Sequence, residues 1–319
     1  MTNDTTTTTG STGSTTGTTS TASAPTTGTS TATAPRRADF RHLERLRVRW
    51  AEVDLQQIVF NGHYLLYFDT AVSGWWRALG LPYHATMQAL AGDFFVRKST
   101  VEYHASARYD DIIDVGVRAA RIGNSSMALD CAVFRGDALL VSGELVYVFA
   151  NPATQTSQPV PQAFRAVLRA FEAGEPMATV QVGDWATLGA EAGAIRKTVF
   201  VDEQGIPAEL EWDAGDADCV HAVARNRLGL ALATGRLLAS EPGVAKIGRM
   251  AVLPSLRGSR LGRQVLDALM QAAGARGDAS VLLHAQTSAA PFYLRAGFTP
   301  EGAEFEEAGI PHLAMRRML

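Results

Sequence analysis

The sequence predicts two folded blocks behind an unstructured tail: an α+β block whose antiparallel sheet surrounds one long helix, then an α/β block. Three observations predict it. Apolar residues recur at spacings of three and four between Tyr64 and Leu79 and then at every second position from Ile113 to Phe149. Strand-like and helix-like stretches alternate after about Met177, and residues 2–34 are almost entirely Thr, Ser, Gly and Ala. A length of 319 residues suits about two domains.

The tail, 1–37, lacks large apolar side chains, so it cannot bury enough surface to offset its ordering entropy and is expected to be disordered. It also lacks the apolar stretch of a signal peptide. The first block is placed at 38–173. Leu46, Val48 and Trp50 alternate with arginines as in a half-buried strand. Tyr64, Leu65, Phe68, Val72, Trp75 and Leu79 form the stripe of one long helix, ended by Gly80 and Pro82. Three strands follow, around Val115, Leu129 and Val141–Phe149, with hairpin signals at Gly123-Asn124 and Gly136-Asp137. A short helix is expected at Gln162–Glu172, and Gly174–Pro176 reads as a linker. The second block, 177–319, begins with a strand near Thr179–Val182 and a helix from Trp185 to Val199. Strands at Val220–Arg225, Leu228–Leu238, Lys246–Val252 and Val281–His284 follow, with helices built on the Leu261–Ala273 stripe and on Pro291–Ala296.

Composition narrows the function classes. With 46% hydrophobic and 19% charged residues and a net charge of -3, nothing favours nucleic acid or an anionic membrane surface as a partner. Cys131 and Cys219 stand far apart, which argues against a disulfide scaffold or a zinc site and suits a cytoplasmic location. No apolar run approaches the ~20 residues of a membrane span. No metal and no tightly bound cofactor are expected.

In the first block the residues Asp54 to Tyr64 carry the chemistry. A carboxylate follows a strand, and an apolar turn separates it from the start of a long helix. The first amides of a helix lack internal partners and carry partial positive charge, so they suit a polarised carbonyl. A nearby carboxylate can attack that carbonyl or activate water. On spacing alone Asp54 reads first as a turn or capping residue. The stretch "RVRWAEVDLQQIVFNGHYLLYFD", Arg47 to Asp69, resembles the opening of the 4-hydroxybenzoyl-CoA-type hot-dog thioesterases, and the likeness continues through Ser99–Tyr103 to Asp110-Asp111. This resemblance implies a hot-dog acyl-CoA thioesterase domain. It puts Asp54 in the position of the catalytic carboxylate and the amides of Phe60, Asn61 and Gly62 in the thioester-polarising position. It also implies a homo-oligomer with sites between subunits. Gln56 and Gln57 depart from the pattern, standing where relatives carry small residues or glycine.

In the second block, Gly248 to Gly262 reads as a strand, an Arg- and Gly-rich loop and a helix start. Helix-start amides bind pyrophosphate, glycine permits close approach, and Arg257 and Arg260 add donors; a purely structural turn has the same look. With Phe292-Tyr293 and Gly297-Phe298 downstream, the block resembles the GNAT N-acetyltransferases, whose loop pattern is R/Q-x-x-G-x-G/A. Phe200-Val201-Asp202-Glu203-Gln204, Glu211, Asp213, Asp218, His221, Ala285-Gln286 and Gly309–His312 narrow the likeness to one bacterial branch. The resemblance implies acetyl-CoA as substrate, bound by Met250, Ala251, Val252, Arg257, Gly258, Ser259, Arg260, Leu261 and Gly262, with Tyr293 protonating the departing thiolate. An amine acceptor must lose a proton, and Glu203, Glu211, His221 and His284 are the candidate bases. The acidic run Glu203, Glu209, Glu211, Asp213, Asp216 and Asp218 either attracts a cationic amine or is a solvated loop. Arg260 departs from the pattern, replacing its first glycine.

The function expected is therefore bifunctional: hydrolysis of acyl-CoA thioesters and transfer of acetyl from acetyl-CoA to an amine. The alternative is one active domain regulated by an inactive CoA-binding domain, kept open by Gln56-Gln57 and Arg260.

Overall fold

The computed structural model describes residues 34–319 and Gly10. Most of the expected tail lies outside the described residues. Its last residue does not: Arg37 opens a 3-10 turn, Arg37–Asp39, and its guanidinium reaches the Asp114 carboxylate at 2.9 Å.

In the first half, β1 (His42–Arg47), β2 (Asp93–Tyr103), β3 (Ile112–Ile122), β4 (Ser126–Arg135) and β5 (Ala138–Ala150) form one antiparallel sheet in the order β1-β3-β4-β5-β2. The β4–β5 turn is the expected Gly136-Asp137, with Gly136 at φ +60°. Helix α1 (His63–Ala78) lays Tyr64, Tyr67, Phe68, Ala71, Val72 and Trp75 into the core. Leu65, expected on that stripe, is exposed because it sits about 100° round the helix from Tyr64. Trp50 also departs from expectation. It is 74% exposed, because the chain leaves β1 after Arg47 and coils into a 3-10 turn, Trp50–Glu52.

A second helix, α2 (Tyr83–Leu90), was not expected. Pro82 does two things: it stops α1 and stands at the N-cap of this next helix. Helix α3 (Gln162–Glu172) follows Pro161 and docks by stacking Phe164 on Trp76, ring centroids 5.4 Å apart. Nothing caps the start of α1. A missing cap costs about 1 kcal/mol, whereas each large side chain buried contributes roughly 1.5–3 kcal/mol. The core therefore holds α1 without a side-chain cap: the His63 N–H turns back to the Phe60 carbonyl at 2.9 Å and the Tyr64 N–H to that of Asn61 at 3.4 Å.

In the second half, β6 (Ala178–Gly183), β7 (Val220–Asn226), β8 (Ala231–Glu241), β9 (Val244–Val252), β10 (Ser280–Gln286), β11 (Thr299–Pro300), β12 (Phe305–Glu307) and β13 (Ile310–Met318) make one mixed sheet, β11-β13-β10-β9-β8-β7-β6, with β12 on β13. Helix α4 (Trp185–Arg196) ends three residues before Val199 and continues as a π-helical turn, Lys197–Glu203; the four-residue α5 (Ala208–Glu211) follows. Helix α6 (Leu261–Arg276) crosses from β9 to β10 and buries Leu261, Val265, Leu266 and Leu269 against one face of the sheet, and α7 (Ala290–Arg295) follows β10.

Two features of this sheet set up a cleft. Strands β9 and β10 pair in parallel only where Val244–Ile247 face Ser280–Leu283, and then diverge. Strand β9 also bulges: Thr234 faces Ala251 while Arg236 faces Gly248, which leaves Arg249 and Met250 opposite Gly235 alone. Arg249 takes φ +51°, and a Cβ on Gly235 would lie 2.5 Å from the Met250 sulfur and 2.8 Å from Leu269 Cδ1, so a side chain there would have to push both aside. No helix of the described residues is long and apolar enough to cross a membrane.

Candidate active sites

In the first half, the Asp54 loop is stapled to the start of α1. Val53 bridges Val59, and the Phe60 N–H donates to the Glu52 carbonyl at 2.9 Å. Beneath it the buried Glu52 carboxylate accepts from Tyr67 Oη at 2.7 Å and from Arg49 Nε at 2.6 Å. Asp54 is half-buried. Its Oδ1 accepts the Gln56 N–H at 2.8 Å, so it is a turn residue of its own loop and does not cap α1. Among the described residues Oδ2 has no hydrogen-bond partner. Of the three amides expected to polarise a thioester, that of Phe60 is already spent on Glu52. Those of Asn61 and Gly62 have no partner among the described residues. Gln57 sits at φ +61°, which explains why the pattern it departs from has glycine there.

In the second half, a cleft of about 1220 Å³ opens where β9 and β10 diverge. It is lined by Met250, Ala251 and Val252, by Arg257, Gly258 and Arg260–Gly262, and by Tyr293. Beyond Ile247 the edge of β9 that faced β10 has no strand opposite, which leaves backbone groups there for a ligand. Ser259 is turned inward, its Oγ donating to the Leu256 carbonyl at 2.5 Å. Arg260 precedes α6 at φ +68°. Arg257 already holds an anion: it grips the Glu203 carboxylate with two bonds, 2.7 and 2.5 Å. Tyr293 is buried, and burial pushes its phenol up to about 12.

The four candidate bases separate. The Arg257 guanidinium beside Glu203 outweighs slight burial and holds its carboxyl below the usual range; Glu203 is tied to the loop and does not line the cleft. Glu211 is buried and held by Arg196 at 2.5 Å; burial raises its carboxyl despite that partner. His221 is buried outside the cleft, with Nε2 against the Asp216 carbonyl at 2.9 Å and its ring against Trp185. His284 lines the cleft, with Nδ1 3.0 Å from Glu307 Oε2. Burial raises the Glu307 carboxyl, but the bond to His284 outweighs it, and the net shift is downward. An ionised Glu307 only accepts, so Nδ1 donates to it and Nε2 is the ring nitrogen left for another partner.

The acidic run is neither free bait for a cation nor wholly a solvated loop. Asp213 and Asp216 both take Arg236 at 2.8 Å, and Asp216 also takes Arg196 at 2.8 Å. Arg249 adds contacts to Glu211 and Asp213 at 3.2 and 3.4 Å. Only Glu203, Glu209 and Asp218 of that run remain on the surface outside this network.

A family model described as an acetyltransferase (GNAT) domain matches residues 199–319. The uncharacterized N-acetyltransferase YjcF of Bacillus subtilis is 37% identical over 128 residues, 40% of this chain and 90% of that protein. The chain belongs to the GNAT acetyltransferases. Ahead of the GNAT module stands a thioesterase domain: a family model described as the thioesterase superfamily matches residues 56–142, starting two positions past Asp54. Among solved structures, the PA5185 protein of Pseudomonas aeruginosa is 30% identical, covering 43% of this chain and 94% of that one, with a TM-score of 0.38. The 1,4-dihydroxy-2-naphthoyl-CoA thioesterase Slr0204 of Synechocystis is 15% identical, covering 40% of this chain and 95% of that one, with a TM-score of 0.38.

Two residues of the GNAT module escaped sequence reasoning. Glu307 stands just before the Gly309–His312 stretch, and its partner His284 is 23 positions away, so no local spacing signals the pair. Arg196 ends an ordinary-looking helix but is 1% exposed, between the rings of Trp185 and Trp212.

Proposed function

We propose that the chain is a bifunctional acyl-CoA enzyme, hydrolysing acyl-CoA thioesters in its first half and acetylating an amine in its second. In the thioesterase half, the amides of Asn61 and Gly62 receive the oxyanion while Asp54 takes a proton from the water that attacks the carbonyl, or attacks it directly to form an anhydride that water then opens. The C–S bond breaks, and CoA and the free acid leave. In the GNAT half, His284 Nε2 takes a proton from the amine, whose nitrogen attacks the acetyl carbonyl beside Met250–Val252. The C–N bond forms, the C–S bond breaks, and Tyr293 gives its proton to sulfur. Both substrates are used and released, which leaves no resident cofactor or metal to account for. A second copy of the chain completes the thioesterase site, and the protein works in the cytoplasm.

The observation that carries this reading is the cleft at the β9–β10 divergence, which gathers the loop Arg257–Gly262, Tyr293 and the His284–Glu307 pair. Non-glycine residues at positive φ in both loops, Gln57 and Arg260, favour the rival in which one half only binds CoA. Thiol release from a panel of acyl-CoA esters, with and without amines, separates the two readings. Amine-independent release should fall about 100-fold in Asp54→Asn, the scale of a lost general base, while amine-dependent release persists. Unchanged hydrolysis in Asp54→Asn removes Asp54 from the mechanism.

A further inference from the structure

Glu203 and Gln204 are neighbours in sequence, yet their side chains close two different contacts. Glu203 grips Arg257 in the loop before α6, at 2.7 and 2.5 Å. Gln204 exchanges amide hydrogen bonds with Gln286, at 3.0 and 3.4 Å. Gln286 ends β10, two residues past His284 and on the same face of the sheet. A single step of the chain therefore ties the phosphate end of the cleft to the side where the acceptor must reach His284.

The segment carrying these residues has the build of a hinge. Lys197–Glu203 is π-helical, a rare conformation that recurs at functional sites. Gly205 follows at φ +71°, in open space, and Pro207 ends the stretch. The Glu203–Arg257 pair is exposed on both partners, so it is held weakly. A guanidinium fork already filled by a carboxylate cannot also grip a pyrophosphate. Adjacent Cα atoms are only 3.8 Å apart, so a backbone shift that draws Glu203 away from Arg257 carries Gln204 with it.

We propose that Glu203 and Gln204 form a latch between the two substrate sites: acetyl-CoA binding at Arg257 displaces Glu203, which pulls Gln204 from Gln286 and opens the acceptor side beside His284. The latch depends on the GNAT reading of the cleft, and the experiment tells the two apart.

Acetyl-CoA binding is measured by calorimetry on the full chain. Glu203→Gln removes the competing charge and should tighten binding about five-fold. Gln286→Ala sits across the cleft from the phosphate loop and should still tighten it two- to three-fold, because it loosens the latch. Gln204→Ala repeats that measurement from the other partner should Gln286→Ala fold poorly. The double variant Glu203→Gln/Gln286→Ala should bind no more tightly than Glu203→Gln alone. Saturating acetyl-CoA should also speed amide exchange across residues 200–206. Wild-type affinity in both glutamine variants, additive effects, or slowed exchange overturns the latch while leaving the cofactor site standing. Absence of acetyl-CoA binding by the wild type removes the GNAT site reading and the latch together.

Discussion

Gln57 and Arg260 hold φ angles of +61° and +68°, where the Cβ of any residue but glycine crowds the following carbonyl at about 1–2 kcal/mol. Both were visible in the sequence as departures, Arg260 from a pattern glycine and Gln57 from small residues or glycine, and the backbone supplies the reason glycine suits each place. The cost is testable at Arg260 without confusing strain with charge. Arg260→Ala and Arg260→Gly lose the same guanidinium, and only glycine relieves the crowding. Arg260→Gly should be more stable than Arg260→Ala by about 1 kcal/mol in denaturant titration; equal midpoints would mean the loop carries no strain. Tyr293 offers a second test. Burial pushes its phenol up to about 12, so the group stays protonated, and able to donate, at every pH below that. With saturating acetyl-CoA and amine, acetyl transfer should therefore show no descending limb near 10, the ordinary tyrosine value. Tyr293→Phe should lower the turnover rate about 100-fold and leave acetyl-CoA affinity within about two-fold. A limb near 10 that disappears in Tyr293→Phe would mean that the phenol titrates as if exposed.

Elements whose own face decides their burial were legible in the sequence. Helix α3 occupies the expected Gln162–Glu172, because Phe164, Val167, Leu168 and Phe171 make one apolar stripe between Pro161 and Gly174. Those set by partners far along the chain were not. Strand β13 carries Pro311 and paired arginines, which hide its alternation, yet its register on β10 runs unbroken from Met318 opposite Ser280 to His312 opposite Gln286. The Arg196 network was hidden likewise, its carboxylates lying 15 and 20 positions away. Strand β2 raises the remaining question at this scale. It is an eleven-residue edge with Phe95, Val96 and Tyr103 exposed, and long apolar edges invite pairing. The occupant proposed here is a second copy of the chain, consistent with oligomerisation through this domain. Sedimentation velocity should give a dimer or a larger closed assembly, and Val96→Lys should raise the monomer fraction at least ten-fold. A wild type that sediments as a monomer would leave the edge unpartnered.

Across the whole molecule, the two halves share more than the Gly174–Pro176 connection. The turn after β7 reaches back to the end of α1: Asn226 Nδ2 donates to the Gly80 carbonyl at 2.9 Å, and Asn226 Oδ1 accepts the N–H groups of Leu228 and Leu230, each at 2.9 Å. Leu228 and Met177 pack against the apolar core of the first half. Arg227 adds bonds to the Pro176 carbonyl and to Glu175, at 2.8 and 2.5 Å. Asn226 is buried, and its side-chain nitrogen and oxygen are both bonded where water cannot replace their partners. Removing it strands the Gly80 carbonyl and two amides, at about 1–3 kcal/mol for each buried group left unpaired. The loss falls on the junction and not on either core. Calorimetry of the wild type should therefore show one cooperative transition, and Asn226→Ala combined with Leu228→Ala should split it in two, with the cores of both sheets otherwise unchanged. Two transitions already present in the wild type would mean that this contact does not couple the halves, and that Leu228 and Asn226 serve only the turn that carries them.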